Sequence, residues 1–341
     1  MLTKLDISVA GVNLDSTSFH VDGEYDFDDN DGKRIVLTQG YSRDHRPELN
    51  QAILNLMTEN QAGIPVFMQA ASGNSSDRTD FTRIIKEQLN CLSAAQNNPY
   101  WVMDSAGYNK ENLSYFNEEN RHMISRVPQN IIEAKQLIQQ IDINEMTELG
   151  NGYWGCWHDS HYAEVAQRWL LLYSEQAYHQ ELKTAHRQQL KQTTSSLNSF
   201  EQLCRQAFSC EADAQKELDK WAKLKPQKMI GIENAEILKK GRYNKVGQPK
   251  KGAKFDYFDW HITGQVYSCI ATQRDLLKSK GRFIIATNDV SSSLEMQSLL
   301  DIYKSQQSVE RGFKFMKSPE FFTSSFFLKK PERIKAMLMI K

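Results

Sequence analysis

The sequence predicts a mixed α/β layer fold that is interrupted by a large α+β insertion. Short apolar segments that end in polar turns alternate with amphipathic helices in the first third of the chain. A buried strand followed by a long helix returns after residue 280, and the pattern between these regions is different. We therefore expect core segments at residues 1–128 and 281–341, with an insertion at residues 129–280 between them.

The first third of the chain carries the strands and helices of the expected core. Apolar runs bounded by polar turns predict strands at about residues 8–15, 34–40, 64–70 and 99–104. Apolar residues at helical spacing predict helices at about 47–60 and 78–95. A short helix after Asp104 and a strand at 122–127 complete this part.

The insertion has a helical first half and a basic second half. Residues 162–192 and 197–224 are rich in Ala, Leu, Gln, Glu and Lys, which predicts a helical hairpin. The second half contains a basic stretch with glycines, followed by an alternating segment at 255–267 that is typical of a strand pair. A buried strand at 281–288 and a long helix at about 291–316 return to the core.

Composition excludes several classes of protein. Lys plus Arg and Asp plus Glu number 42 each among 341 residues, so any basic surface must be local. The five cysteines form no Cys-x-x-Cys pair, which is typical of reduced thiols in a cytoplasm. No apolar run approaches the ~20 residues of a membrane-spanning helix. We expect a cytoplasmic protein without a membrane partner.

Three carboxylates stand at positions where functional groups are common. Asp15 and Asp104 each end an apolar strand, and Glu310 lies in the last predicted helix. Taken singly, such an Asp is more often a turn or cap residue, and such a Glu is an ordinary solvated residue. Together, carboxylates from separate elements can hold two Mg²⁺ ions about 3.5–4 Å apart for phosphodiester chemistry.

The predicted helix around Glu310 carries further polar residues on one face. Tyr303, Gln306, Glu310, Lys314 and Lys317 are spaced by three, four, four and three residues. One face therefore combines a carboxylate with cations. Glu310 is a candidate metal ligand on this face, and Lys317 is a candidate contact to a DNA phosphate.

These residues resemble those of the DDE transposases of bacterial insertion sequences, in the group with the Y-x-x-R-x-x-x-E-x-x-x-x-x-x-K signature. Tyr303, Glu310 and Lys317 fit the spacing, and Asp15 and Asp104 stand in matching contexts. The segments 40–51 and 63–77 are similar to the family's second and third strands with their loops. The signature Arg is replaced by Gln306, which removes a fixed charge.

The resemblance implies a fold, a cofactor and a reaction. The fold is an RNase H-like core with an insertion between the second Asp and the Glu. Asp15, Asp104 and Glu310 are implied as catalytic ligands of two Mg²⁺ ions, for which Mn²⁺ substitutes. The implied reaction is DNA strand cleavage by water and strand transfer by a DNA 3′-hydroxyl.

The resemblance also implies partners. These are the terminal inverted repeats of the transposon, the target DNA and a second copy of the chain in a synaptic complex. The family's upstream DNA-recognition region is missing from this sequence, so we expect poor binding to transposon ends. Residues 239–254 hold seven basic residues and no acidic one, which predicts either DNA-backbone contacts, by Lys240, Arg242, Lys250 and Lys251 among others, or a solvated loop.

Two other functions fit the same residues. The first is a structure-selective nuclease on the same core, because hydrolysis and strand transfer differ only in the nucleophile. The second is a truncated remnant that only binds DNA or dimerises with a full-length partner.

Overall fold

The computed structural model describes residues 11–21, 35–41, 46–93, 99–224, 230–244, 247, 252–268, 277–318 and 331–340. The chain forms two compact units. The first comprises Met1–Tyr173 with Phe283–Lys341, and the second comprises Ser174–Arg282. No helix in these described ranges is long and apolar enough to cross a membrane.

The described residues form eleven strands and eight α-helices. The strands are β1 Gly11–Val21, β2 Asn50–Glu59, β3 Pro65–Ser72, β4 Tyr100–Met103, β5 Met123–Arg126, β6 Thr147–Gly150, β7 Tyr153–Ser160, β8 Gln167–Ser174, β9 Ile230–Arg242, β10 Tyr257–Ser268 and β11 Arg282–Thr287. The helices are α1 Asp77–Ser93, α2 Lys110–Glu118, α3 Ile132–Gln140, α4 Glu175–Arg205, α5 Glu211–Leu224, α6 Met296–Lys304, α7 Gln307–Met316 and α8 Pro331–Ile340.

The first unit is built on one nine-stranded sheet with the order β3-β2-β1-β4-β5-β11-β8-β7-β6. β1, β2 and β3 pair antiparallel, whereas β4 is parallel to β1 and β5 is parallel to β4. Strand β11 pairs antiparallel with β5. Three antiparallel strands followed by two parallel ones, in the order 3-2-1-4-5, are the arrangement of an RNase H-like core, so the predicted fold class is confirmed.

Helices cover both faces of this sheet. α1 turns Phe81, Ile84, Ile85 and Leu89 toward one face, at the spacing that an amphipathic helix requires, and all four are fully buried. Burial of each such side chain stabilises the fold by about 1.5–3 kcal/mol. On the other face, α6 packs Leu299 and Leu300 against β4, β5 and β11, while α7 and α8 pack against β1 and β2.

The second unit has its own small core. β9 and β10 form a two-stranded antiparallel ribbon, and α4 and α5 pack against it. The core contains Phe200, Leu203, Leu218, Trp221 and Ile262. The indole of Trp221 donates to the Ser199 hydroxyl at 2.9 Å.

The expected helix at residues 47–60 is wrong, because this segment is the strand β2. It lies between β1 and β3, and nine of its ten residues are buried. β2 is buried on both faces, so its sequence shows no regular alternation of apolar and polar residues and resembles a buried helix. The segment expected as a strand at 34–40 is, within its described residues 35–40, an irregular segment with one isolated bridge, between Thr38 and Gln51, and a further backbone hydrogen bond from Gly73 N to Val36 O at 2.9 Å.

The insertion begins later than the expected residue 129. Strands β6, β7 and β8 extend the sheet of the first unit, and the second unit starts at Ser174. The helix expected from residue 162 begins at Glu175, where the Ser174 side chain caps it by accepting from Ala177 N at 3.3 Å. The preceding residues, Gln167 to Ser174, form β8 because their apolar run is buried in the sheet.

Two helix boundaries also differ from the expectations. The break in the helical hairpin lies at residues 206–210, between α4 and α5, and not near residue 195. The single helix expected at 291–316 is divided into α6 and α7 at Ser305 and Gln306. The strand expected at 8–15 is, within the described residues, β1, which continues to Val21, so Asp15 lies inside the strand and does not end it. The remaining expected strands, at 64–70, 99–104, 122–127 and 281–288, and the helix at 78–95 are confirmed within about two residues.

Candidate active site

The register of the sheet places Asp15 beside Asp104. Leu14 of β1 pairs with Met103 of the parallel strand β4, and the two aspartates are the next residues of their chains. Neighbouring strands lie about 4.8 Å apart. Both aspartates point to the face that α6 and α7 cover, because each lies two residues beyond Asn13 or Val102, which contact that layer.

Local hydrogen bonds orient both carboxylates. Asp15 Oδ1 accepts from Ser16 N at 2.7 Å, and the Ser16 hydroxyl donates to Asp77 Oδ1 at 2.7 Å. Asp104 Oδ1 accepts from Ala106 N at 2.9 Å, in the short turn that follows β4. Asp15 is buried and Asp104 is half-buried, and both lie at the surface of the sheet that faces a cavity.

The cavity has a volume of about 810 Å³, and Glu310 of α7 lines it together with Asp15 and Asp104. The cations Arg126, Lys314 and Lys317 also line it. So do Tyr303, Gln306 and Phe313. All five residues that the sequence placed on one helix face are therefore brought to the cavity that holds both aspartates.

The carboxylates match the chemistry of a divalent-metal site in donor type. Carboxylate oxygens are the ligands that Mg²⁺ and Mn²⁺ prefer. Within the described ranges, no three His, Cys, Asp or Glu side chains are arranged to hold one ion together. Asp15 and Asp104 are thus neighbouring candidate ligands on adjacent strands, and Glu310 lines the same cavity from α7.

Tyr303 lies among charges of both signs on the helix face. Burial raises the pKa of its phenol, and the carboxylates of Asp104 and Glu310 raise it further, whereas the guanidinium of Arg126 lowers it. The ring lies 6.5 Å from that of Phe283. The Tyr303 hydroxyl is therefore a neutral hydrogen-bond donor among both signs of charge.

Gln306, Lys314 and Lys317 are the other residues of this helix face. Gln306 is buried and lies at the break between α6 and α7, where its carbonyl accepts from Glu310 N at 3.3 Å. The ammonium of Lys317 lies 5.7 Å from the centre of the Phe19 ring. Lys314 is exposed at the edge of the cavity.

Arg126 is the charged residue of the cavity lining that the sequence did not predict. It ends β5, and because Ser125 pairs with Met103, Arg126 occupies the position next to Asp104. Its guanidinium lies 5.1 Å from the centre of the Phe283 ring. The rule that selected Asp15 and Asp104, that functional groups gather where parallel strands end, applies equally to this residue.

The basic residues expected to bind DNA in the insertion have different surroundings. Arg242 donates to Asp259 Oδ2 at 2.7 Å and lies 3.1 Å from His261 Nε2. Lys240 is exposed. Lys250 and Lys251 lie outside the described residues. Charge in this region is therefore partly neutralised at Arg242.

An RNase H-like sheet with an acidic cavity beside β1 and the end of β4 defines the class of nucleases and transposases that share this core. A family model described as the transposase DDE domain matches residues 11–341, and the chain belongs to this family.

Among solved structures, the chain resembles one of a piggyBac transposase synaptic complex with hairpin DNA, determined by cryo-electron microscopy. The identity is 9% and the TM-score is 0.32. The match covers 49% of this chain and 31% of that chain, so it spans about a third of the other protein's length. No curated protein matches the chain.

Proposed function

We propose that this chain is the catalytic domain of a DNA transposase, which cleaves DNA strands and joins them to a target. Membership of the transposase DDE family supports this function. The observation that carries it is that Asp15 and Asp104 hold adjacent positions on β1 and β4 while Glu310 lines the same cavity. Acidic residues far apart in the chain are thereby gathered beside cations that suit a phosphate backbone.

In this proposal, Asp15, Asp104 and Glu310 bind two Mg²⁺ ions, for which Mn²⁺ substitutes. The bound ions supply activation of the attacking oxygen and stabilisation of the leaving oxygen. Glu310, which lines the same cavity from α7, would supply the third carboxylate of the ligand set. The neutral hydroxyl of Tyr303 donates a hydrogen bond to a phosphate oxygen, while Lys314 and Lys317 contact phosphates of the same DNA strand. Gln306 is a weaker helper because it carries no charge.

The DNA partners in this proposal are the terminal inverted repeats and the target DNA, with a second copy of the chain completing a synaptic complex. The basic residues Lys240, Arg242, Lys250 and Lys251 of the second unit form a further backbone contact. This contact is electrostatic and independent of sequence, so it is sensitive to salt.

The test supplies a pre-cut transposon end and a target plasmid in Mg²⁺ or Mn²⁺. We expect joined products from the wild type, and a loss of at least about 100-fold in the D15N, D104N and E310Q variants. D301N is the matched control, because Asp301 is exposed on α6 and bonds to Gln297 at 2.9 Å outside the cavity. It should join DNA as the wild type does.

The other outcomes separate the rival functions. Nicking without joining would indicate a structure-selective nuclease on the same core. DNA binding without any cleavage in either metal would indicate a remnant that is not catalytic. Full activity of D104N would contradict the proposed site.

A further inference from the structure

A row of three charged residues crosses the sheet at the cavity. Asp15, Asp104 and Arg126 occupy successive register positions on β1, β4 and β5. Arg126 points to the same face as the aspartates, because it lies two residues beyond Ile124, which packs with Leu299 and Leu300 of α6. A cation therefore stands about one strand spacing, 4.8 Å, from the Asp104 position.

Among the described residues, Arg126 forms no ion pair with a carboxylate. Its guanidinium instead lies over the ring of Phe283, with 5.1 Å from the carbon atom Cζ to the ring centre. Stacking on an aromatic face fixes the plane of the guanidinium and leaves its N–H edge available. That edge matches two oxygens of one phosphate group.

The helix wall of the cavity lacks a guanidinium. The residue at the signature arginine position is Gln306, which is only 6% exposed and uncharged. Lys314 and Lys317 add ammonium groups, which bind a phosphate as point charges and not as a fork. Of the described residues that line the cavity, Arg126 alone carries a guanidinium.

Arg126 also faces the tyrosine of the helix wall. Its charge lowers the pKa of the Tyr303 phenol, while Asp104 and Glu310 raise it. Arg126 and Tyr303 are thus donors on two walls of the cavity that Asp15, Asp104 and Glu310 also line. A phosphodiester group held by both donors would lie in this acidic cavity.

We propose that Arg126 binds the DNA phosphate at the scissile bond and supplies from β5 the guanidinium that Gln306 lacks on the helix. This inference rests on the proposed function, because it takes DNA as the ligand of the cavity. It assigns the strongest phosphate contact of the site to the sheet, and it explains how the helix tolerates a neutral residue at position 306.

The test compares R126Q and R126K with R83Q as the control, because the charge of Arg83 is already paired with Asp80 and Glu87. Binding of a short duplex is measured without metal, over a range of salt. We expect R126Q to bind at least about 10-fold more weakly and to lower the slope of log K against log salt by about 0.9, the value for one lost phosphate contact. R126K should keep the slope but cleave at least 10-fold more slowly, because it loses the fork.

The double variant R126Q/Q306R tests the compensation directly. We expect the arginine at 306 to restore binding and cleavage to within about 10-fold of the wild type. Thermal unfolding shows which variants are folded, and R126K carries the test if the buried Q306R variant is not. R126Q binding with the affinity and slope of R83Q, or R126K cleaving as the wild type does, would overturn the inference.

The same experiment separates this inference from the proposed function. A wild type that neither cleaves nor joins DNA contradicts the proposed function, whereas the metal-free binding comparison still decides the role of Arg126. A wild type that joins DNA while R126Q binds and joins equally well contradicts the role of Arg126 alone.

Discussion

The hydroxyl of Ser305 shares its proton between Asn13 Oδ1, at 3.2 Å, and the carbonyl of Ile302, at 2.6 Å. Ser305 lies at the break between α6 and α7, and Asn13 is a fully buried residue of β1, two positions before Asp15. The bond therefore ties the start of the helix that carries Glu310 to the strand that carries Asp15. It adds a polar link between two walls of the cavity that also pack through Val309 and Phe313 of α7.

Loss of this link should affect stability and cleavage together. S305A removes the donor to the buried amide oxygen of Asn13, and we expect a loss of about 1–2 kcal/mol in the free energy of unfolding. We also expect slower cleavage, because α7 loses its anchor to β1. S308A is the control, since Ser308 bonds only to the carbonyl of Ser305, at 2.7 Å, and should cost less than about 0.5 kcal/mol. Urea unfolding and cleavage rates measure both; equal effects of the two variants would refute the link.

Metal should reverse the order of stability between the wild type and D104N. Without metal, like charges on neighbouring strands cost roughly 0.2–1 kcal/mol, so D104N should be the more stable protein in EDTA. An ion that binds only the folded state stabilises it, by about 2.7 kcal/mol at 100 times its dissociation constant. The wild type should therefore gain stability with Mg²⁺ or Mn²⁺, and D104N should gain much less. Thermal unfolding with and without metal shows this, and an equal gain in both proteins would contradict the proposed ligands.

A hydrogen bond between Tyr100 and Asp289 should make stability depend on pH. Burial opposes ionisation of Asp289, but hydrogen bonds from Tyr100 and Ser291 outweigh it, and the pKa of the carboxyl is lowered overall. A lowered pKa contributes stability above the unfolded value of about 3.9, and this contribution is lost as the pH falls through the folded value. The stability difference between the wild type and Y100F should therefore be full at neutral pH and shrink below about pH 4.

Urea unfolding at several pH values measures this difference. Y115F serves as the control, because the Tyr115 ring is packed beneath Lys86 and its hydroxyl has no hydrogen bond among the described residues. We expect its effect to be the same at every pH. A Y100F deficit that stays constant down to pH 3 would show that the hydrogen bond does not favour the ionised carboxylate.

Much of the candidate site followed from local sequence patterns. Asp15 and Asp104 each follow an apolar run, which marks the end of β4 correctly at Asp104, whereas β1 continues past Asp15 to Val21. The spacing from Tyr303 to Lys317 fixes a common helix face, and this face survives the break at Ser305 because the chain continues in nearly the same helical path. Each of these predictions used only the sequence within one strand or one helix.

The missed features depend on pairing between distant segments. Residues 50–59 and 167–174 are apolar runs whose strand character comes from neighbours in the sheet, and local spacing does not distinguish them from buried helices. Arg126 becomes a cavity residue only because β5 pairs with β4 in one particular register. A shift of one residue would turn its side chain to the other face of the sheet.

Lys240 and Arg242 should differ in what their charges do for the second unit. Arg242 forms an ion pair with Asp259, whose pKa is lowered overall because hydrogen bonds from Arg242 and His261 outweigh the opposing effect of burial. We therefore expect R242Q to lower the melting temperature and to weaken DNA binding less than K240Q does, because the charge of Arg242 is partly neutralised by Asp259. Lys240 is exposed and forms no ion pair with any described residue, so K240Q should leave the melting temperature unchanged.

If this ribbon contacts DNA, K240Q should lower the salt slope of binding by about 0.9. Thermal unfolding and salt-titrated binding of both variants measure these effects. A salt slope that changes in R242Q and not in K240Q would reverse the assignment.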